Sequence, residues 1–234
     1  MEVHAHSHTP RKKWTHYLWE FLMLFLAVFA GFMAENFREH LIEHRKEKDF
    51  VRSLLEDLKS DTARLHYSIS RLNWNIASAD SLIILHKKGN KENNYEIKLS
   101  RFGQDAGHSV DIVFNDRTSS QLKGTGSMRL IRNKTLADSI SKYWNSQIKI
   151  AQIHDRFETL RVEQRKIGWK TFSWYPNASE NADRINNEQT LNEFLSASRT
   201  LQTTAIFQFL PELQAEFSLA GNLILLIEKE YHLD

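Results

Sequence analysis

Phe21 to Ala34 reads FLMLFLAVFAGFMA, a run without one charged side chain, and no other feature constrains the fold as much. Extended back over Tyr17, Leu18, Trp19 and Glu20 it covers residues 17–34. As a helix rising about 1.5 Å per residue this is about 27 Å, close to the hydrocarbon thickness of a bilayer. Phe, Leu and Met occur all round the helix rather than on one stripe, which suits lipid better than a protein core. Arg11, Lys12 and Lys13 lie just before the run, and Trp14, Tyr17 and Trp19 fall where an interfacial aromatic belt belongs. These six are the expected interfacial anchors. Glu20 stands at the headgroup end, where its charge stays wet. A cleavable leader needs small residues at −3 and −1, and Phe32-Met33-Ala34 puts a bulky one at −3. The run is therefore expected to be an uncleaved transmembrane helix.

Three Lys and Arg residues occupy the ten positions before the span and one, Arg38, the ten after it. That asymmetry places the N-terminus in the cytoplasm and the C-terminal domain outside it. Within the span, Ala27, Gly31 and Ala34 are small. The Ala27-x-x-x-Gly31 spacing lets two helix backbones approach closely, so these three are candidate residues for span packing.

After the span no Pro occurs before Pro176, and no Gly before Gly89. Residues 35–49 are dense in charge and read as a solvated helical stalk. Beyond it, Phe50, Leu54, Leu58, Leu65, Ile69, Leu72, Ile76 and Ile83 recur at steps of three, four and seven, one face of a helix ending near Lys87-Lys88-Gly89. A polar loop covers Asn90–Asn94. Tyr95–Asn115 is the least helical stretch, in which Val110–Phe114 reads as a short strand or as an apolar plug under a loop. Thr118–Lys123 is expected to be a short helix with Thr118 as its cap, ended by Gly124-Thr125-Gly126. A second long helix is predicted over Lys134–Thr171, a loop over Phe172–Asn187, a short helix over Glu188–Ala197 and a last one over Leu201–Tyr231. Pro211 is expected to break or kink the last helix near Phe209 or Leu210. With only 3 Pro and 8 Gly in 234 residues, long helices are favoured over many strands. The expected fold is all-α: an N-terminal transmembrane helix continuing into an elongated antiparallel bundle with short irregular or β pieces. The expected organisation is a tail over 1–16, the span over 17–34, the stalk over 35–49 and a helical domain over 50–234.

The chemistry-bearing residues give little. There is no cysteine, which removes disulfides, thiolate metal sites and a cysteine nucleophile. The formal net charge of +2, with Lys and Arg scattered, points to no nucleic acid. His4, His6 and His8 alternate in the tail, and three neutral imidazoles suit Zn²⁺, Ni²⁺ or Cu²⁺. No carboxylate orients them, and an ordinary polar tail is the simpler reading. His40-Leu-Ile-Glu43-His44 matches an inverted zinc-protease pattern, but it sits in the charged stalk without a third ligand or an apolar wall. Gly124-Thr125-Gly126 lacks the strand and the Lys-Ser/Thr pair of a phosphate cradle. Ser119, Ser120, His108 and Asp111 are near in sequence, with no nucleophile elbow around either serine. No catalytic constellation and no cofactor are expected.

Two segments carry a resemblance. RKKWTHYLWEFLMLFLAVFAGFMAENFREHLIEHRKEKDFVRSLLEDLKSD spans residues 11–61 and TSSQLKGTGSMRLIRNKTLADSISKYW spans residues 118–144. With the short His-rich start they resemble a family of single-span membrane proteins of Bacteroidota, known as a domain of unknown function. The resemblance implies an inner-membrane location and a helical exterior. It implies no activity, substrate or site residue. In such a family Ser127–Asn133 would be a turn feeding the second long helix.

The leading expectation for function is a membrane-anchored helical interaction or assembly protein, self-associating or joined to another membrane protein. An accessory subunit of a pore or transporter, with Glu20 lining a ring of packed spans, is the second reading. Metal handling by His4, His6 and His8 is the third, and an enzyme is not expected.

Overall fold

A computed structural model describes residues 13–89, 94–124, 126–172 and 185–233 of the chain. All regular structure among these residues is helical. In order come α1 (Trp14–Lys88), α2 (Tyr95–Ala106), α3 (Arg117–Gly124), a 3-10 turn (Ser127–Leu130), α4 (Lys134–Phe172), α5 (Glu188–Thr204), a π turn (Ala205–Phe209) and α6 (Leu210–Tyr231). The all-α expectation holds. The chain divides into two compact units, Met1–Asp49 and Phe50–Asp234.

In the first unit the most apolar 18-residue window of α1 is 0% buried. This is the one described helix long and apolar enough to cross a membrane. Phe21, Phe25 and Phe29 stack along one face, with ring centroids 6.4 and 6.0 Å apart, as spacing by four residues on a helix requires. The charged stretch that follows is largely exposed, with Arg38 bridged to Glu35, while Glu47 is buried.

In the second unit, α1 contributes one stripe to three apolar clusters. Leu54, Leu58, Leu65 and Leu72 are buried as the spacing predicts, and Phe50, Ile69 and Ile76 pack at the margins. Ile83 is only half-buried, and Leu82 and Leu85 take the core positions beside it. The first cluster joins Leu54 and Leu58 to Ile140 and Tyr143 of α4 and Leu223 of α6. The second joins Leu65 and Leu72 to Phe157 and Phe209, and the third joins Leu82 to Leu99, Phe172 and Phe194.

These pairings fix the directions. Arg156 reaches Gln208 and Lys149 reaches Glu212, so α6 and the π turn run antiparallel to α4. Lys59 meets Glu228 and Asp80 meets Gln202, so α5 and α6 are antiparallel to α1 as well. The expected antiparallel arrangement does not extend to α1 and α4, which run the same way: residue 61 meets residue 143, and residue 82 shares a cluster with residue 172. The chain returns between them through α2 and the extended segment that follows.

Two sequence expectations, for Tyr95–Ala106 and for Thr118, are corrected, and two alternatives, at Val110–Phe114 and at Pro211, are resolved. Tyr95–Ala106 is a helix, amphipathic enough to bury Leu99 and Ala106. It approaches α5 so closely that a Cβ on Gly103 would stand 2.4 Å from Phe194 Cζ. Val110–Phe114 is extended without strand pairing, and with Val110 fully buried it is the plug rather than the strand. Thr118 lies inside α3, not at its cap. Of the break or kink expected at Pro211, the break does not occur: α5 runs into α6 through a π turn that ends at Phe209. Pro211 has no N–H to give residue 207, and its ring crowds that carbonyl in an α turn. A wider turn immediately before it absorbs both faults.

Candidate functional site

Three polar side chains interrupt the buried stripe of α1 at seven-residue intervals: Asp61, Ser68 and Asn75, exposed by 1%, 3% and 3%. Each holds the extended segment 107–116. Asn75 Nδ2 donates to His108 O at 2.7 Å, and Ser68 Oγ to Asp111 O at 2.8 Å. Asp61 Oδ1 accepts from Asn115 N and from Asn115 Nδ2, both at 2.9 Å. The geometry matches from first principles. Fourteen helical residues rise about 21 Å, and seven extended steps cover about 23 Å, so one heptad of helix pairs with three or four strap residues. From α4, His154 Nε2 donates to Val110 O at 3.0 Å, and α1 adds Arg64, which donates to Val113 O at 3.4 Å. The carbonyls of His108, Val110, Asp111 and Val113, which an unpaired extended segment would leave bare, are thereby satisfied by side chains.

One turn earlier, Asp57 caps α3 from another helix. Its Oδ2 accepts from Thr118 N at 3.2 Å and from Thr118 Oγ1, and its Oδ1 accepts from Arg117 at 3.0 Å. A carboxylate at a helix N-terminus receives its free N–H groups and matches its dipole, the role expected of Thr118 itself.

The seam continues into α4 and α6. Tyr143 Oη donates to Asp61 Oδ2 at 2.8 Å. Ser146 Oγ meets Glu216 Oε2, and Glu216, only 1% exposed, has its Oε1 buried without a partner. Burial pushes the Asp61 carboxyl above its ordinary range, against the pull of Asn115 and Tyr143. Burial pushes the Tyr143 hydroxyl up too, reinforced by the Asp61 charge. Glu216 is pushed up to about 7, first by burial and then by Asp61 and Glu212, with Ser146 opposing. Two buried carboxyls thus stand in one seam under different conditions: Asp61 with three donors, Glu216 with a single hydroxyl.

The residues singled out from sequence lie elsewhere. Ala27, Gly31 and Ala34 share a face of α1 about 200° round from the phenylalanine ladder. A Cβ built on Gly31 meets nothing within 4 Å, so no neighbour within the chain requires glycine there. Lys13, Trp14, Tyr17 and Trp19 are all exposed, the aromatics by 56–76%. Glu20 pairs with His16 at 2.9 Å. His40 and His44 are exposed, and His44 pairs with Glu47 at 3.4 Å. Among the described residues no group of three or more His, Asp or Glu side chains is placed to hold a metal ion. His4, His6, His8, Arg11 and Lys12 lie outside the described residues, as does most of the loop bearing Trp174, Tyr175 and Pro176.

Sequence reasoning passed over Asp57, Asp61, Ser146 and Glu216, and took Tyr143 or Trp144 only as part of the apolar stripe of the second long helix. A signal for Asp61 was present: with Ser68 and Asn75 it falls on the apolar stripe at heptad spacing, where a polar residue needs a buried partner. Compared with family models, curated proteins and solved structures, the chain matches none.

Proposed function

We propose that this chain is a membrane-anchored helical interaction protein that self-associates through its span, with its second unit in the periplasm. The observation that carries the reading is the bare apolar helix: an 18-residue window of which nothing is buried within the protein. Exposing that surface to water is unfavourable, at about 25 cal/mol per Å² of apolar area, and a bilayer removes the cost. Arg11, Lys12 and Lys13 before it support a cytoplasmic N-terminus at a bacterial inner membrane. The Bacteroidota resemblance points the same way.

Self-association is supported by the division of the span into a face of stacked phenylalanines and a face of Ala27, Gly31 and Ala34, where Gly31 has open space above it. In lipid, helices join where small residues allow backbone contact, not where bulky ones already match the solvent. The native chain has no cysteine, so single substitutions report cleanly. In native membranes under mild oxidation, Ala27→Cys, Gly31→Cys and Ala34→Cys are expected to give disulfide-linked dimers, and Phe25→Cys and Phe29→Cys not. Equal cross-linking on both faces, or monomer throughout, sinks the self-association reading.

The accessory-subunit reading draws on the His16–Glu20 pair at one end of the same face. Glu20→Gln should then change ion conductance of membranes holding the assembly, and an unchanged conductance removes it.

A further inference from the structure

Ser146 carries one hydroxyl hydrogen and stands in reach of three acceptors. Its Oγ is 2.8 Å from Tyr143 O, 3.2 Å from Lys142 O and closest to Glu216 Oε2. The hydrogen serves the helical carbonyls or the carboxyl, not both. Directed at Tyr143 O, it leaves Oγ as an acceptor, and the contact with Glu216 then needs the proton to come from Glu216. Directed at Glu216, it leaves an ionised carboxylate with a single donor, its Oε1 buried and bare. A buried anion so poorly supplied is costly, whereas a neutral acid that donates is not.

The surroundings supply no compensating charge. On α4, Tyr143 is committed to Asp61, and Lys149 pairs with Glu212 of α6 at 2.6 Å. On α1, Asp61 is itself an anion held by three donors, Arg64 acts on Asp61, and the His66 ring lies against Phe217. From α3, Lys123 sits over the Trp144 ring at 4.8 Å. The π turn brings no ionisable group.

We infer that Glu216, with Ser146, Tyr143 and Asp61, forms a proton-binding site that latches α6 onto α4 and α1. The inference does not depend on self-association of the span. With its proton, Glu216 closes the hydrogen-bond chain and α6 is held. Without it, two carboxylates share one buried seam and the middle of α6 is released. The native acid binds its proton more tightly than the unfolded one, whose value is 4.5, so below 4.5 the latch contributes fully. Native protein retains a proton the unfolded chain has shed as pH rises from there to about 7, and over that window stability falls.

The test is hydrogen exchange by mass spectrometry on the full chain in detergent micelles from pH 5.5 to 8.5, corrected for intrinsic exchange. Protection of residues 210–227 is expected to drop on the order of 10- to 100-fold relative to α2, because each unit of pKa displacement is a tenfold change in equilibrium. Glu216→Gln, which mimics the neutral acid, should remove that drop while His66 stays in place. Should this variant fail to fold, infrared titration of the wild-type chain decides: a buried protonated carboxyl persisting to about pH 7 is expected. A pH dependence of α6 unchanged in Glu216→Gln overturns the latch, as does the absence of any carboxyl that keeps its proton above pH 5.5.

Discussion

α1 is one helix read in two ways. Over residues 21–34 it is apolar on every face and buries nothing within the protein; over residues 50–88 only one stripe is buried, and that stripe is inlaid with Asp61, Ser68 and Asn75. The first stretch has no polar group to satisfy beyond its own backbone, which the helix satisfies internally. The second trades apolar area for polar contacts that a lipid-facing helix has no use for. Uniform hydrophobicity specifies a solvent, while a patterned stripe with polar inlays specifies neighbours and their register. Here the neighbour is the strap 107–116, pinned at three points that a shift of one residue would break.

The contrast predicts a graded series. Asp61→Ala should be the most damaging, because it leaves Asn115 N and Tyr143 Oη without their acceptor inside the bundle and takes from Asn115 Nδ2 the nearer of its two. A loss of about 4 kcal/mol in denaturant unfolding of the second unit is expected. A variant within 1 kcal/mol of wild type, roughly the worth of one ordinary hydrogen bond, would mean that the seam is ornamental. Leu72→Ala, at a position with 0% exposure, should cost about 3 kcal/mol, whereas Leu24→Ala in the span should leave unfolding of the second unit unchanged. If both act alike, the division of α1 fails. Ser68→Ala removes one of several strap contacts and should cost about 1 kcal/mol, with faster amide exchange confined to residues 107–116. Spread of that effect to α5 would show that the strap is not the unit held.

What the sequence made legible follows periodicity. The long runs in α1 and α4 repeat apolar residues often enough to set helix type and ends: Gly89 takes a positive φ just past Lys88, and Asn133 accepts from Leu136 N where α4 begins. Short and irregular parts were harder. Tyr95–Ala106 carries Gly103 and only a few apolar positions, so its helix depends on packing against Phe194 and Gln164 rather than on local preference. Val110, Ile112 and Phe114 alternate as a strand would, yet the carbonyls of His108, Val110 and Asp111 accept from side chains of α1 and α4 instead of another strand. The seam itself joins residues up to 82 apart in sequence for Asp61–Tyr143 and 70 apart for Ser146–Glu216. No local pattern announces such pairs, although the heptad placement of Asp61, Ser68 and Asn75 marks one side of them.

The proposed span meets lipid where the rest of α1 meets protein and water, and thiol accessibility in intact membranes tests this most directly. Single cysteines replacing Leu24, Phe29, Leu72 and Trp74 are treated with a membrane-impermeant maleimide in opened vesicles, so that both membrane faces are reached. Trp74→Cys, at a position 56% exposed, should label rapidly, and Leu72→Cys only after denaturant unfolds the bundle. Leu24→Cys and Phe29→Cys, at positions 69% and 51% exposed on the protein, should resist labelling until detergent removes the lipid. Labelling of the two span positions as fast as Trp74→Cys in intact bilayers would contradict the account, since residues 17–34 would then face water.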